Sequence, residues 1–357
     1  MLDKNAILHY FDCNDIGLIV MTMKKRPTLR EVAQLAGVSK ATAARVVSGS
    51  SEPIREETRN RVNEAVRQLG YERHAIAGSL RSARTYMIAL SIPDITNPFW
   101  PEVARGIQDQ LEEAGYTVVM LNNDWNMERE QIHLRRMGQK QFDGLIINPT
   151  GTLNADLLKL RLPVVVLSSG DSFPDFDSVA SDSTTAGRTA MAHLLDLGHR
   201  RIGLIAGQLR RRKSHTHRNT YLHMHEERGL PIDPTLMVET DFSQESGYRA
   251  MKQLLAQPQP PTAVFAVNDI LALGALQAAQ EAQLPVPQRM SIIGMDDIFA
   301  AATTFPPLTT IAKPKYEIGL MAAQFLLERM NGVPLLAPRH RLLPCTLVHR
   351  SSTAAPL

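Results

Sequence analysis

A short stretch between Thr28 and Gly49 carries side chains suited to binding nucleic acid. Lys40, Ala41, Thr42 and Arg45 stand close together, and a helix that begins at Lys40 would present them near its N-terminal face. Cations and hydroxyls in that position contact phosphates and base edges in a DNA groove. The chemistry that this spacing predicts is recognition of double-stranded DNA.

Two short helices joined by a tight turn are needed to position these side chains. Thr28 and Glu31 form a capping box that starts the first helix, and Gly37 ends it because the turn requires a residue that tolerates a positive φ. Ser39 caps the second helix. The apolar residues expected to face inward are Val32, Ala33, Leu35, Ala36, Ala43, Val46 and Val47.

A third helix is predicted from about Glu56 to a stop at Gly70, with apolar residues at helical spacing between them. Residues 25–70 therefore form a small all-α helix-turn-helix DNA-binding domain. Residues 23–84 contain 13 lysines and arginines against 6 acidic residues, whereas residues 85–357 contain 25 against 27. The positive charge is concentrated where DNA contact is expected, although a solvated basic surface would show the same balance.

The remaining composition argues against several other classes of protein. The chain has 357 residues and two cysteines, Cys13 and Cys345, which are too few for a disulfide framework or a thiolate zinc site. The apolar run 16–21 is too short to span a membrane and has no basic region before it. We expect a cytoplasmic protein associated with the nucleoid. Residues 1–24 match nothing downstream and are interpreted as a leader from a start codon placed too early.

Beyond a polar linker at 71–84, the pattern changes to apolar runs that alternate with amphipathic helical segments. Such runs are typical of parallel strands covered on both faces by helices. The predicted strands are 87–92, 117–121, 145–147, 164–167, 202–206, 263–267 and 292–295. The pattern occurs twice, which predicts two similar α/β lobes with a cleft between them.

The expected boundaries place an effector-binding and dimerisation domain at 85–350. The first lobe is predicted at about 85–183 and 312–335, and the second at about 184–311 and 336–350. Ligands in parallel α/β folds bind beyond the carboxyl ends of the strands. The loop 93–100 places two aromatic rings and a carboxylate at such an end, and Asn268 and Asp269 follow the strand 263–267.

Together these residues resemble the lactose-repressor (LacI/GalR) family of bacterial transcription regulators over about residues 27–348. Each matching motif is modest alone, but their order along the chain is specific. The motifs include Ala36-Gly37-Val38-Ser39, Leu69-Gly70-Tyr71, Asn97-Pro98-Phe99, Leu197-Gly198-His199-Arg200-Arg201, Glu245-Ser246-Gly247-Tyr248 and Pro307-Leu308-Thr309-Thr310.

The resemblance implies a homodimeric repressor that binds a pseudo-palindromic operator and has a periplasmic-binding-protein-like core. In that family the first residues of the recognition helix read the major groove, and a leucine of a hinge helix wedges into the minor groove. Lys40 and Arg45 would then donate to guanine O6 and N7, while Ala41 would contact a thymine methyl. The DNA-binding residues carried over are Thr28, Ser39, Lys40, Ala41, Thr42, Arg45, Ala77 and Leu80.

The hinge and recognition helix also depart from the family pattern. Ala44 stands where a serine is usual, and Arg73, His74 and Gly78 replace the usual hinge residues. Glycine in a helix costs about 1 kcal/mol relative to alanine, so the hinge helix is expected to be weak. The alternative interpretation of Leu80 is a buried, structural role.

The same resemblance implies a small-metabolite effector bound between the lobes. The residues carried over for this site are Phe99, Trp100, Asp182, Arg218, Phe242 and Asp269. Aromatic rings suit the apolar face of a sugar or a base, and Arg218 can clamp a carboxylate or phosphate. The basic segment 210–218 favours a sugar acid or sugar phosphate over a neutral sugar, with a nucleoside or purine less favoured. A solvated basic loop, a core role for Phe242 and a capping role for Asp269 remain as alternatives.

Other functions receive less support from the sequence. His215, His217, His223 and His225 lack four-residue ligand spacing and an adjacent acidic or thiolate partner, so no metal or other cofactor is predicted. No phosphate-binding glycine loop or nucleophile elbow is present, which argues against an enzyme. A solute-binding protein for transport would share the core but not the DNA-binding headpiece, and would need a secretion signal.

Overall fold

The computed structural model describes residues 27–48, 53–71, 84–137, 142–207, 216–332 and 337–357. These residues belong to two compact units, Met1–Ala83 and Arg84–Leu357. The predicted leader 1–24 lies outside the described residues, as does nearly all of the predicted linker 71–84. Within the described residues, no helix combines the length and apolar character needed to cross a membrane.

The first unit contains three helices, α1 (Leu29–Leu35), α2 (Lys40–Val47) and α3 (Glu56–Leu69). Its buried apolar side chains come from all three helices: Val32, Ala33, Ala36, Ala43, Val46, Val62 and Ala65. Leu35 is 51% exposed, so its predicted place on the buried face is wrong. It stands at the last position of a two-turn helix and lines an open surface pocket together with residues of α3.

The second unit contains two sheets, each with six described strands. The strands are Met87–Ile92, Thr117–Asn122, Gly144–Ile147, Val164–Val166, Asp177–Ser181, Ile202–Gly207, Met237–Thr240, Ala263–Ala266, Ser291–Asp296, Thr309–Ala312, His340–Leu343 and Thr346–Val348, numbered β1 to β12 in that order. The first sheet has the order β11-β5-β4-β3-β1-β2 and the second β12-β10-β9-β8-β6-β7, with all pairs parallel except β10 with β12.

Helices cover both sheets, as the apolar strands require. They are α4 (Phe99–Glu113), α5 (Met127–Met137), α6 (Asn154–Leu157), α7 (Ser183–Asp196), α8 (Thr216–Glu227), α9 (Gln244–Leu255), α10 (Asp269–Glu281), α11 (Phe299–Thr303) and α12 (Lys315–Met330). In the first lobe, a Cβ added to Gly106 of α4 would meet the Tyr316 carbonyl at 2.1 Å, so α4 and α12 cross in close contact. In the second lobe, a Cβ added to Gly274 of α10 would lie 2.0 Å from the Gln244 carbonyl, so α9 and α10 are also in close contact.

The chain crosses between the lobes three times. It passes from β5 to α7, from β10 to α12 and from β11 to β12, and each connection is short. The last crossing corrects a predicted boundary, since 336–350 was assigned wholly to the second lobe. His340–Leu343 instead extends the first sheet by pairing with β5, and only Thr346–Val348 joins the second. This four-residue strand has two polar residues followed by two leucines, which is too short an apolar run to reveal it.

Candidate functional site

The recognition helix α2 is fixed by its own capping residues. The Ser39 hydroxyl accepts a hydrogen bond from the Thr42 N–H at 3.0 Å and lies 2.8 Å from the Thr42 hydroxyl. Ala43 and Val46 are buried, while Lys40, Ala41 and Arg45 are exposed. The structure therefore brings the predicted DNA-contacting side chains to one open face of a short helix.

The turn before α2 follows the predicted chemistry. Gly37 adopts a φ of +61°, a conformation that most side chains resist. Thr28 and Glu31 form the complete capping box of α1, with the Thr28 N–H donating to the Glu31 carboxylate at 2.6 Å. Thr28 is exposed at the start of α1. Ala77 and Leu80, the predicted minor-groove residues, lie outside the described residues.

Four aromatic rings line a cavity between the two lobes. The cavity has a volume of about 240 Å³ and adjoins a second one of about 330 Å³. Phe99 and Trp100 begin α4 and meet edge to face, with ring centroids 4.9 Å apart. Trp125 of the first lobe stacks on Phe242 of the second at 4.5 Å. The predicted residues Phe99, Trp100 and Phe242 therefore share one cleft, and Trp125 joins them.

Two ion pairs lie among the described residues that line the first cavity. Lys313 Nζ lies 2.8 Å from the Asp296 carboxylate, and both side chains are nearly buried. Burial raises the pKa of Asp296 while Lys313 opposes that shift. Arg218 and Glu239 approach less closely, at 3.9 Å, and remain partly exposed. Because every described cation in this wall has a carboxylate near it, the wall offers both donors and acceptors to the hydroxyls of a ligand.

His217 lies beside these charges at the start of α8. Its Nδ1 is buried and has no hydrogen-bond partner among the described residues. Burial, assisted by the positive charge of Lys313, lowers the pKa of His217 to about 3. The ring is therefore neutral at physiological pH and can offer one donor and one acceptor. The described residues contain no cluster of metal-ligating side chains.

Asp269 does not line the cavity, contrary to its predicted contact with the effector. Its fully buried carboxylate accepts the Thr310 hydroxyl at 2.6 Å and the Ile298 N–H at 2.9 Å. Burial and the neighbouring Asp296 raise the pKa of Asp269 to about 7. Asp269 therefore supports the backbone around Asp296, and Asn268 stands in the cavity wall instead.

The last predicted residue, Asp182, lies at the first crossing between lobes. Its side chain caps α7 by accepting the Thr185 N–H at 3.0 Å, and it lines the second cavity. Sequence reasoning missed Trp125, His217, Glu239, Asp296 and Lys313. Asp296 follows a predicted apolar run just as Asn268 does, so the same rule would have found it. Lys313 follows a strand that the sequence did not reveal.

Comparison with known proteins supports both units separately. Residues 28–74 match the family model described as "Bacterial regulatory proteins, lacI family", and residues 191–353 match the "Periplasmic binding protein-like domain". The chain is 36% identical over 332 residues to the HTH-type transcriptional repressor CytR of Escherichia coli (strain K12), covering 92% of this chain and 96% of that protein.

Solved structures agree with these matches. The Lac repressor dimer bound to operator and the anti-inducer ONPF has a TM-score of 0.82 and 28% identity, covering 93% of this chain and all of that one. A LacI family regulator from Enterococcus faecium with bound ribose has a TM-score of 0.68 and 33% identity, covering 75% of this chain and 99% of that one.

A helix-turn-helix headpiece joined in sequence to a two-lobed α/β core defines a class of DNA-binding transcription regulator. The chain belongs to the LacI family of bacterial transcription regulators. It is a DNA-binding regulator and not an enzyme, as its relatives are transcriptional repressors.

Proposed function

We propose that the protein is a repressor that binds a palindromic operator as a homodimer and changes its DNA affinity when a small metabolite occupies the cleft. The observation that carries this proposal is the exposed, capped recognition helix α2 in a chain that also holds an aromatic, polar cleft. Side chains on such a helix read base edges, and a dimer places two of them on successive turns of DNA. The site of action is the bacterial nucleoid in the cytoplasm.

An apolar surface on the second lobe supports the homodimer. Phe299 and Phe305 are 81% and 99% exposed, and both lie close in sequence on α11 and the loop after it. Exposed aromatic side chains of this size are costly to leave in water and are enriched in the centres of protein interfaces. A second copy of this chain is the partner we assign to that surface.

The proposed effector is a sugar, sugar acid or sugar phosphate. Phe99 and Trp100 can cover the apolar face of a pyranose, while Asp296 and Glu239 can accept its hydroxyl hydrogens. Arg218 and Lys313 can neutralise an acidic substituent. Regulators of similar structure bind ribose and cellobiose, which fits a polyhydroxyl ligand. A nucleoside or purine is the second candidate, since Trp125 and Phe242 carry aromatic faces on which a flat base can stack.

A titration of the full chain against its own promoter region, at several salt concentrations, tests the DNA-binding part. We expect a specific complex whose affinity falls as salt rises, because phosphate contacts release counterions. Binding that does not distinguish the promoter from unrelated duplex would contradict the assignment of a sequence-specific regulator.

The effector part is tested by thermal-shift titration of matched sugars, sugar acids, sugar phosphates and nucleosides. Arg218→Ala is expected to abolish the response to an anionic compound while the operator is still bound. Arg228→Ala is the matched control, since Arg228 pairs with Asp196 and does not line the described cleft. Loss of operator binding together with the response in Arg218→Ala would contradict the proposed role of that residue.

A further inference from the structure

Trp125 and Phe242 meet face to face across the cleft. Trp125 follows β2 in the first lobe and Phe242 follows β7 in the second. Their ring centroids lie 4.5 Å apart with an interplanar angle of 17°. The two lobes are thus joined by a stacked aromatic contact in addition to the three chain crossings. Opening the cleft between these rings would require the stack to break.

The turn that carries Trp125 is held in an unusual conformation. Asp124 and Trp125 have φ values of +51° and +57°, which residues with a Cβ seldom adopt. The Trp125 N–H donates to the Pro93 carbonyl at 3.2 Å, and the Asp124 carboxylate accepts from the Asn122 amide and pairs with Arg129. These contacts fix the direction in which the indole leaves the first lobe. Backbone strain held in this way is common at functional sites.

Phe242 is held from the other side by the end of β6. A Cβ added to Gly207 would meet the Phe242 ring at 2.0 Å, so the ring lies directly against the Gly207 backbone. Phe242 therefore cannot retreat into the second lobe while Gly207 keeps its place. Trp125 and Phe242 also both line the cavity, so their contact forms part of its enclosure.

We propose that Trp125 and Phe242 form a latch that holds the two lobes closed, and that separation of the rings is the step that admits or releases the effector. The proposal rests on the effector site described under the proposed function. An aromatic pair of this kind stabilises a contact enough to change an equilibrium roughly two- to tenfold. Loss of the pair is therefore expected to raise the open fraction of the cleft by roughly that factor.

The two tryptophans of the chain make the latch directly measurable. The sequence contains two tryptophans, Trp100 and Trp125, so Trp100→Phe leaves Trp125 as the only tryptophan in the full-length protein. In this background, Phe242→Ala is expected to increase acrylamide quenching of Trp125 and to shift its emission to longer wavelength. Phe242→Leu, which keeps an apolar contact without the ring, should give an intermediate increase.

Leu158→Ala is the matched control, because Leu158 is an exposed apolar residue of the first lobe outside the described cavities. It should leave the quenching of Trp125 unchanged. Far-UV circular dichroism of each variant establishes that it is folded. Equal quenching of Trp125 in the Trp100→Phe protein with and without Phe242→Ala would overturn the proposal.

Hydrogen exchange separates a latch from a local contact. In an otherwise unaltered chain, Phe242→Ala should speed exchange on both sides of the cleft, in 122–126 and in 204–207. Faster exchange confined to the neighbours of residue 242 would overturn the latch. Operator binding, measured separately, tests the proposed function: a chain that shows the latch but binds no operator contradicts the regulator assignment and not the contact between the lobes.

Discussion

The recognition helix presents its candidate contacts from Lys40 to Arg45, whereas the cleft gathers its lining from positions as distant as Asn97 and Lys313. The contacts on α2 are set by adjacent residues, because Ser39 starts the helix and Ala43 and Val46 determine which side is buried. The positions of the cleft residues are determined by the two sheets and by the three crossings of the chain between the lobes. Local chemistry therefore defines the DNA-binding surface, and tertiary topology defines the sensor.

A lysine-to-alanine substitution should have a large effect on stability in the cleft and a small one on the recognition helix. Lys313→Ala leaves the buried Asp296 without its 2.8 Å ion-pair partner, which is expected to lower the free energy of unfolding by about 3 to 5 kcal/mol. Lys40→Ala removes an exposed side chain and should change stability by less than about 0.5 kcal/mol. Urea unfolding followed by tryptophan fluorescence measures the effect of Lys313→Ala, because both tryptophans lie in the second unit. Hydrogen exchange of α1, α2 and α3 measures the effect of Lys40→Ala in the first unit.

Lowering the pH tests the explanation for the effect of Lys313→Ala on stability. Protonation of Asp296 removes the unpaired charge, so Lys313→Ala should approach the wild-type unfolding midpoint as the pH falls. A midpoint equal to that of the wild type at neutral pH would mean that the Lys313–Asp296 pair contributes nothing, and the contrast with Lys40 would disappear.

Asp269 should make the stability of the second unit depend on pH. Its pKa is raised from 3.8 to about 7 in the folded protein, so unfolding releases a proton between those values. Below pH 3.8 the group is protonated in both states; as pH rises toward 7 the unfolded state ionises first and stability falls, by at most about 1.4 kcal/mol per pH unit. Asp269→Asn should flatten this slope, as measured by urea unfolding at a series of pH values. An unchanged slope would show that Asp269 is not the titrating group.

Removal of one candidate base contact should weaken operator binding without unfolding either unit. Lys40→Ala and Arg45→Ala are each expected to cost about 1 to 3 kcal/mol in binding free energy, measured by fluorescence anisotropy at fixed salt. Arg228→Ala, in the second unit, is the control and should bind as the wild type does. Equal affinities for all three variants would remove α2 from the DNA interface.

The smallest expected effect concerns the cap of α2. Ser39→Ala deletes the acceptor for the Thr42 N–H and should destabilise the helix by about 1 kcal/mol, seen as faster hydrogen exchange in 40–48. Ser39→Asp, which restores an acceptor, should recover protection. If both variants exchange like the wild type, the packing of Ala43 and Val46 alone determines this helix.

The headpiece and the central strands could be predicted from the sequence because their signals are local. Gly70 ends α3 in a left-handed conformation as expected, and the strand Met87–Ile92 matches its predicted bounds. The strands β5, β7, β10, β11 and β12 were missed because they are short and lack a long apolar run. Without β10 and β11, the sequence could not place Lys313 or assign 340–343 to the first sheet.

The candidate cleft was predictable only in part, for the same reason. Phe99, Trp100, Arg218 and Phe242 do line the first cavity and Asp182 the second, as the family resemblance implied. Their contacts to an effector stay a prediction. The sequence does not show that Asn268 lines the cavity while the neighbouring Asp269 is buried. The two side chains differ only in the direction they take at the start of α10.

The three crossings between lobes impose a particular kind of motion on the second unit. Three short covalent connections resist sliding and pulling apart, and they leave rotation of one lobe against the other as the least hindered movement. Asp182 and Lys313 stand at two of these connections and also line the cavities. A molecule that contacts either residue therefore acts close to the rotation axis. A displacement of a fraction of an ångström there corresponds to a much larger displacement at the far ends of the lobes.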